Sequence, residues 1–297
     1  MKTPAPGIYH DVPFEEYCAW DAINNSSLGP ALKSPRHYKH GLDNPREDTD
    51  AFRFGRLCHA GRLEPAAVLD RYVVMPDLSK DIKTADGKPA RSPKATTEYK
   101  QRVATWEERQ AEADCEVVTR QRFDEFKGVL DSLNGNKLAR EWFGSDGPAE
   151  LSILWKDPIT HLVCKIRIDK VTTPRQLTDL KSTRDAHNFG KSIADYGYYR
   201  QAAFYLDGYR LATGNDATFC LVAVENVAPF GVRSAPLHPV AVAEGRTEYR
   251  LAMKRIAEAR ANGQWKGYDD PDAWELPYWK QSNECHLMVG GEPVTFN

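Results

Sequence analysis

Between Glu150 and Ser182 the chain carries three short runs rich in strand-forming residues: ELSILWK (150–156), HLVCKIRIDKV (161–171) and RQLTDLKS (175–182). Tight connections join them, and Asp157-Pro158 is a turn signal in the first. The spacing predicts a hairpin from the first two runs with the third laid beside it. The downstream elements set the class. FGKSIADYGYYRQAAFYLDGYRLATG (189–214) reads as one long helix ending at Gly214. ATFCLVAVEN (217–226) reads as a central strand, because it is apolar with little alternation, and VAVAEGRTEYRLAMKRIAEARANG (240–263) as an amphipathic helix. Three strands, helix, strand, helix is the order of an α/β sandwich around a mixed sheet.

The upstream half is helical in pattern. NNSSLGPALKSPRHYKHGL opens with Ser and Asn capping residues, and Pro35 forces a break after a turn or two. A helix is expected over 50–63, started near Thr49 or Asp50 and closed before Pro65, and two charged helices at 95–111 and 120–133 flank a short CEVV strand. No repeat or low-complexity linker interrupts the chain, so a single domain over 1–297 is expected, with its core at about 148–263 and helix 50–63 contributing.

Bulk properties exclude several classes. At 41% hydrophobic and 28% charged residues the composition is that of a water-soluble globular protein, and no apolar run approaches the ~18 residues a membrane span needs. The opening MKTPAPGIYHDVPFEEY has no apolar signal core, which makes the cytoplasm the expected location. Six cysteines (18, 58, 115, 164, 220 and 285) are scattered singly, against a zinc ribbon or a disulfide scaffold, and Cys164 and Cys220 read as buried thiols. The net charge of -2 excludes a protein that is basic overall. From Lys80 to Arg102, however, seven Lys/Arg stand against three acids, with Gly87, Pro89 and Pro93 among them. That stretch reads as a mobile basic loop, either simply solvated or an arm for phosphates.

Two carboxylates sit oddly in the apolar strands. Side chains alternate along a strand, so Leu177, Asp179 and Lys181 share one face of the third run. Asp169 ends the second run on the face that carries Lys165 and Arg167. If the two strands are neighbours, Asp169 and Asp179 converge at one end of the sheet with Lys181 beside them. Two carboxylates with the Leu180 carbonyl suit a hard cation such as Mg²⁺ or Mn²⁺. A lysine next to that ion could orient a water or offset charge on a phosphoryl oxygen. Taken alone, though, D-x-K is common and reads better as a surface ion pair.

Three further features change that ranking. Gln201 and Tyr205 form Q-x-x-x-Y on the helix after the D-x-K strand, Gly55 and His59 share one face of helix 50–63, and Glu150 opens the first strand. Each has a bland reading: a core histidine, helix-packing residues, a strand start. Tyr196, Tyr198, Tyr199 and Tyr209 likewise read as packing residues rather than base-stacking platforms. In the order H…E…D-x₉-D-x-K…Q-x-x-x-Y, however, the string resembles the PD-(D/E)XK nuclease superfamily, in its RecB-like branch. GIYHDVPFEEY…NNSSLGPALKSPRHY and DLKSTRDAHNFGKSI are similar to the phage and prophage exonucleases related to the nuclease domain of RecE, exodeoxyribonuclease VIII. The resemblance runs from Gly7 to about Gly263.

The resemblance implies a restriction-endonuclease-like mixed sheet flanked by helices, with a helical N-terminal elaboration. By it, Asp169, Asp179 and the Leu180 carbonyl hold Mg²⁺ (or Mn²⁺), Glu150 and His59 support an ion or its water, Lys181 is the catalytic lysine, and Gln201 and Tyr205 face the DNA and that lysine. It further implies digestion of linear duplex DNA from the 5′ end, a 3′ single strand left for an annealing recombinase, a ring-forming homo-oligomer, and a bacterial host cell. Two alternatives stand beside it: a RecB-like nuclease for single strands or flaps, and a non-catalytic DNA-binding module of the same fold. Where some relatives place a cysteine of an iron–sulfur site this chain has Ser34, and it lacks a C-terminal cysteine triplet, so no cluster is expected.

Overall fold

The computed structural model describes residues 3–270 apart from 46, 85, 114, 173 and 174, then residues 273–274 and the backbone of two strands at 285–289 and 292–296. Most of the DDPDAWELPYWK stretch lies outside the described residues. The chain divides into two compact units, Met1–Lys266 and Gly267–Asn297. In the second, strands β9 (Cys285–Val289) and β10 (Glu292–Phe296) pair antiparallel.

The first unit is built on six strands: β1 (Gly7–Tyr9), β4 (Ala149–Lys156), β5 (Val163–Thr172), β6 (Gln176–Thr183), β7 (Thr218–Glu225) and β8 (Val232–Pro236), side by side in that order. Only β6 and β7 run parallel. A parallel pair needs a crossover, here α9 (Phe189–Asp195) and α10 (Tyr198–Thr213). The mixed sheet flanked by helices is the architecture expected from the sequence. One expectation needs correcting: 189–214 is two helices. Gly197 adopts the left-handed conformation (φ 66°), which ends α9 and re-aims the chain into α10.

One sheet face packs on α10, α2 (Asn25–Lys33) and α11 (Pro239–Asn262) through a core that includes Leu28, Ile166, Leu177, Phe204, Phe219, Tyr249 and Ile256. Helices α10 and α11 come close because residue 245 is glycine; a Cβ there would lie 2.2 Å from the Tyr199 carbonyl. The other face packs on α4 (Asp50–Leu63), α7 (Arg120–Gly135) and α8 (Lys137–Gly144) through Phe54, Leu57, Val129, Leu180 and Val222. Between α4 and α7 the chain makes α5 (Pro65–Arg71), α6 (Thr97–Glu112) and a parallel ribbon of β2 (Tyr72–Val74) with β3 (Glu116–Val118). The N-terminal segment, with α1 (Phe14–Ala19), packs Tyr17 and Trp20 on Leu154; α3 (Pro35–Asp43) comes directly after α2. Among the described residues no helix is long and apolar enough to cross a membrane.

Candidate active site

The site begins as a fault in the sheet. Along β5, Cys164, Ile166 and Ile168 reach one core, yet Val171 reaches the same core, so the alternation slips by one residue between Ile168 and Val171. Opposite, Glu150 has a left-handed φ of 51° and drops out of the ladder, which pairs Ala149 with Lys170 and then Leu151 with Ile168. On its other side β5 pairs with β6 only at Lys170–Thr178 and beyond. Asp169 therefore sits where β5 parts from β6 and faces the one residue that drops out of β4. Its Oδ2 accepts the Leu180 backbone N–H at 2.8 Å, taking the place of a strand carbonyl.

Helix α4 brings His59 into this gap. Its Nε2 donates to the Leu180 carbonyl at 2.8 Å, and its Nδ1 lies 3.4 Å from Asp169 Oδ2. Burial, followed by the nearby Lys181 charge, holds the imidazole pKa below its ordinary value and favours the neutral ring. A carbonyl can only accept, so the single ring proton is on Nε2 and Nδ1 keeps a lone pair facing a carboxylate oxygen. Glu150 completes the group: ligand atoms of His59, Glu150 and Asp169 all lie within 4.8 Å of one another. Its carboxylate is clamped to Arg167, which also donates to the Val12 carbonyl at 2.7 Å. Burial, then repulsion between neighbouring carboxylates, raises the pKa of both Glu150 and Asp169.

Next to this trio stands a second cluster. Asp179 Oδ1 accepts from Gln201 Nε2 at 2.6 Å, and Oδ2 lies 2.7 Å from Lys181 Nζ but has no well-aligned hydrogen bond. Lys181 lies 4.8 Å from the centre of the Tyr198 ring, which stacks in turn on Phe189. Tyr205, one turn beyond Gln201, packs edge-on to Phe219, and burial drives its pKa well up. The structure thus brings Asp169, Glu150 and His59 into one donor set, and Asp179, Lys181 and Gln201 into a bonded group beside it. The Leu180 carbonyl is occupied by His59, with its second lone pair left over.

These residues fit a divalent cation. The His59 Nδ1 lone pair lies 3.4 Å from Asp169 Oδ2, Asp179 Oδ2 has no aligned hydrogen bond, and one imidazole with carboxylate oxygens is a donor set for Mg²⁺, Mn²⁺ or a similar metal. The sequence reading missed Tyr198 and Arg167 as supports. Tyr198 was visible in principle, because residues 198, 201 and 205 fall at i, i+3 and i+7 on one helical stripe.

Lys165 and Arg167, the cations on the Asp169 face, are not free to meet phosphates. Lys165 spends its ammonium on three backbone carbonyls, Tyr17 at 2.8 Å, Cys18 at 3.0 Å and Trp20 at 2.7 Å. Arg167 is committed to Glu150 and Val12. The basic stretch is different. Thr84 and Ala90 N–H groups close a small hairpin on Lys88 and Ile82, Ile82 is buried, and α6 starts at Thr97.

Comparison with known proteins gives the family and the fold. The family model described as "PDDEXK-like domain of unknown function (DUF3799)" matches residues 25–270. The chain belongs to this family. The match takes in the whole site, from α2 through α11, and with it the nuclease-like fold. Among solved structures, one named "Putative exonuclease", from Eubacterium rectale, superposes with a TM-score of 0.57 over 87% of this chain and 89% of its own, at 13% identity. That likeness is one of fold. An alkaline exonuclease from Laribacter hongkongensis matches at 14% identity and a TM-score of 0.28, over 70% of this chain and 95% of its own, and bears no argument. A search of curated proteins returned no match.

Proposed function

We propose that the chain is a divalent-metal-dependent DNA nuclease, an exodeoxyribonuclease that hydrolyses phosphodiesters from the ends of linear duplex DNA. One observation carries the reading: a three-residue donor set, His59, Glu150 and Asp169, opens beside a buried Asp179–Lys181–Gln201 group where β5 and β6 part. Bound there, Mg²⁺ or Mn²⁺ would supply Lewis-acid charge and a more acidic water.

The chain's own residues do the rest. Glu150, held by Arg167, and Asp169, held by the Leu180 N–H, keep their oxygens fixed before substrate arrives. Gln201 aims Asp179, so that its second oxygen can serve as a further ligand once Lys181 turns to the scissile phosphate. Lys181, steadied by the Tyr198 ring, then offsets phosphoryl charge and orients the attacking water. The resemblance to RecE-like enzymes supports the finer reading: 5′ to 3′ digestion of one strand, a 3′ strand left for an annealing partner in recombination, and a ring-forming oligomer around the duplex.

End-labelled linear and closed circular duplexes, incubated with Mg²⁺, with Mn²⁺ and with EDTA, test the proposal. Linear DNA should be degraded from its 5′ ends with either metal, circles should persist, and EDTA should stop the reaction. Intact linear DNA under both metals would rule out catalysis; degraded circles would rule out the end requirement.

A further inference from the structure

Tyr196 is an exposed aromatic ring one contact removed from Lys181. It closes α9, directly before the left-handed Gly197, with its backbone N–H donating to the Ser192 carbonyl at 3.0 Å. The main chain there is pinned between two helices, while the side chain is 66% exposed. Its ring centroid lies 5.7 Å from that of Tyr198 at 35°, and Tyr198 stacks on buried Phe189 at 5.8 Å and 28°. Tyr198 in turn carries the Lys181 ammonium 4.8 Å from its centre. Among the described residues no hydrogen bond holds the Tyr196 hydroxyl. Single exposed apolar residues are ordinary. This one differs because a chain of ring contacts leads from it to the lysine assigned to the scissile phosphate.

We propose that Tyr196 is a stacking platform for the nucleobase next to the scissile phosphate, and therefore that the site takes an unpaired nucleotide. The inference rests on the nuclease reading and deepens it. A base paired and stacked inside a duplex has no free face for a protein ring, whereas a splayed base offers one whatever its sequence. An exposed tyrosine with a fixed backbone and a ring neighbour on one side loses little freedom when a base covers it. Tyr198 is then the shared wall: one neighbour sets the lysine, the other sets the base, and the phosphate between them is placed relative to both.

Cleavage of end-labelled duplexes by the full chain tests this, with a single abasic residue placed in turn at each of the three terminal nucleotides of the cleaved strand. Tyr196→Ala should lower kcat/KM about tenfold on intact ends, the scale of one base stacked on an aromatic ring. At one abasic position wild type and variant should cleave equally, since neither has a base to stack. Tyr196→Phe should behave as wild type on every substrate. Equal activity of Tyr196→Ala and wild type on intact ends overturns the proposal, as does a tenfold loss that persists at every abasic position. If wild type cleaves no DNA at all, it is the nuclease reading that fails, and this inference falls with it.

Discussion

Asp169 and Asp179 are both buried, and the Lys181 ammonium stands 2.7 Å from Asp179 Oδ2. Removing that charge leaves two carboxylates close together in a low-dielectric setting. Lys181→Met should therefore cost about 3 kcal/mol of stability in EDTA, as breaking a buried pair does, and saturating Mg²⁺ should recover much of it. Asp179→Asn should cost less. An asparagine oxygen still accepts from Gln201, Asp169 remains to face the Lys181 ammonium, and Asp169, whose pKa burial raises first and the Asp179 charge second, loses that repulsion. This variant should melt closer to wild type than Lys181→Met in EDTA while losing cleavage. The same pair fixes a pH dependence. A carboxyl whose folded pKa is raised favours folding while protonated, so its contribution is complete below the ordinary aspartate range and is lost as pH rises above it. Wild-type stability in EDTA should fall with rising pH more steeply than that of Asp179→Asn. Parallel pH–melting curves for the two proteins would show that Asp179 is not the cause.

At the scale of elements, one buried side chain gathers the backbone of the N-terminal segment. Lys165, nearly fully buried on β5, donates to three carbonyls at the end of α1 and just beyond it. Lys165→Met removes all three of these charge-assisted bonds, which should destabilise the chain by about 3 kcal/mol and open the first twenty residues to protease. Binding of Mn²⁺, measured by titration, should change little, because Arg167 still holds Glu150. A large drop in metal affinity would mean that the segment shapes the site directly. This interaction also marks the limit of what the sequence makes legible. Period-2 alternation puts Lys165 and Arg167 on one face of their strand, but no local pattern says which distant backbone meets that face. The order of strands and helices is legible because hydrophobic period and turn residues report it directly. The slip between Ile168 and Val171 is not, since it arises from pairing on both sides of β5 and from the left-handed Glu150, features that exist only once the sheet has formed. His59, Glu150, Asp179, Lys181 and Gln201 can be named because their order along the chain resembles a known family; the way their side chains divide into two groups is set by tertiary geometry alone.

Over the whole molecule, charge decides how DNA is met. The net charge is -2, so attraction to phosphates must come from a local surface. With Lys165 and Arg167 spent internally, the hairpin around 82–90 and its flanks are the remaining source among those the sequence singles out. Lys80, Lys83, Arg91 and Lys94 are exposed there and form no ion pair among the described residues, whereas Lys88 lies 3.4 Å from Asp86. Replacing these four with serine should weaken duplex binding regardless of sequence and leave kcat at saturating DNA unchanged, because none of them belongs to the site. Salt dependence gives the sharper reading. Each phosphate that is no longer neutralised should flatten the slope of log K against log salt by about 0.9 for duplex DNA, so removal of all four cations approaches a change of four in slope. Fluorescence anisotropy of a labelled duplex in Ca²⁺, titrated across ionic strength, measures it. An unchanged slope would place the DNA-binding surface elsewhere, and the hairpin would then be an ordinary solvated feature of the fold.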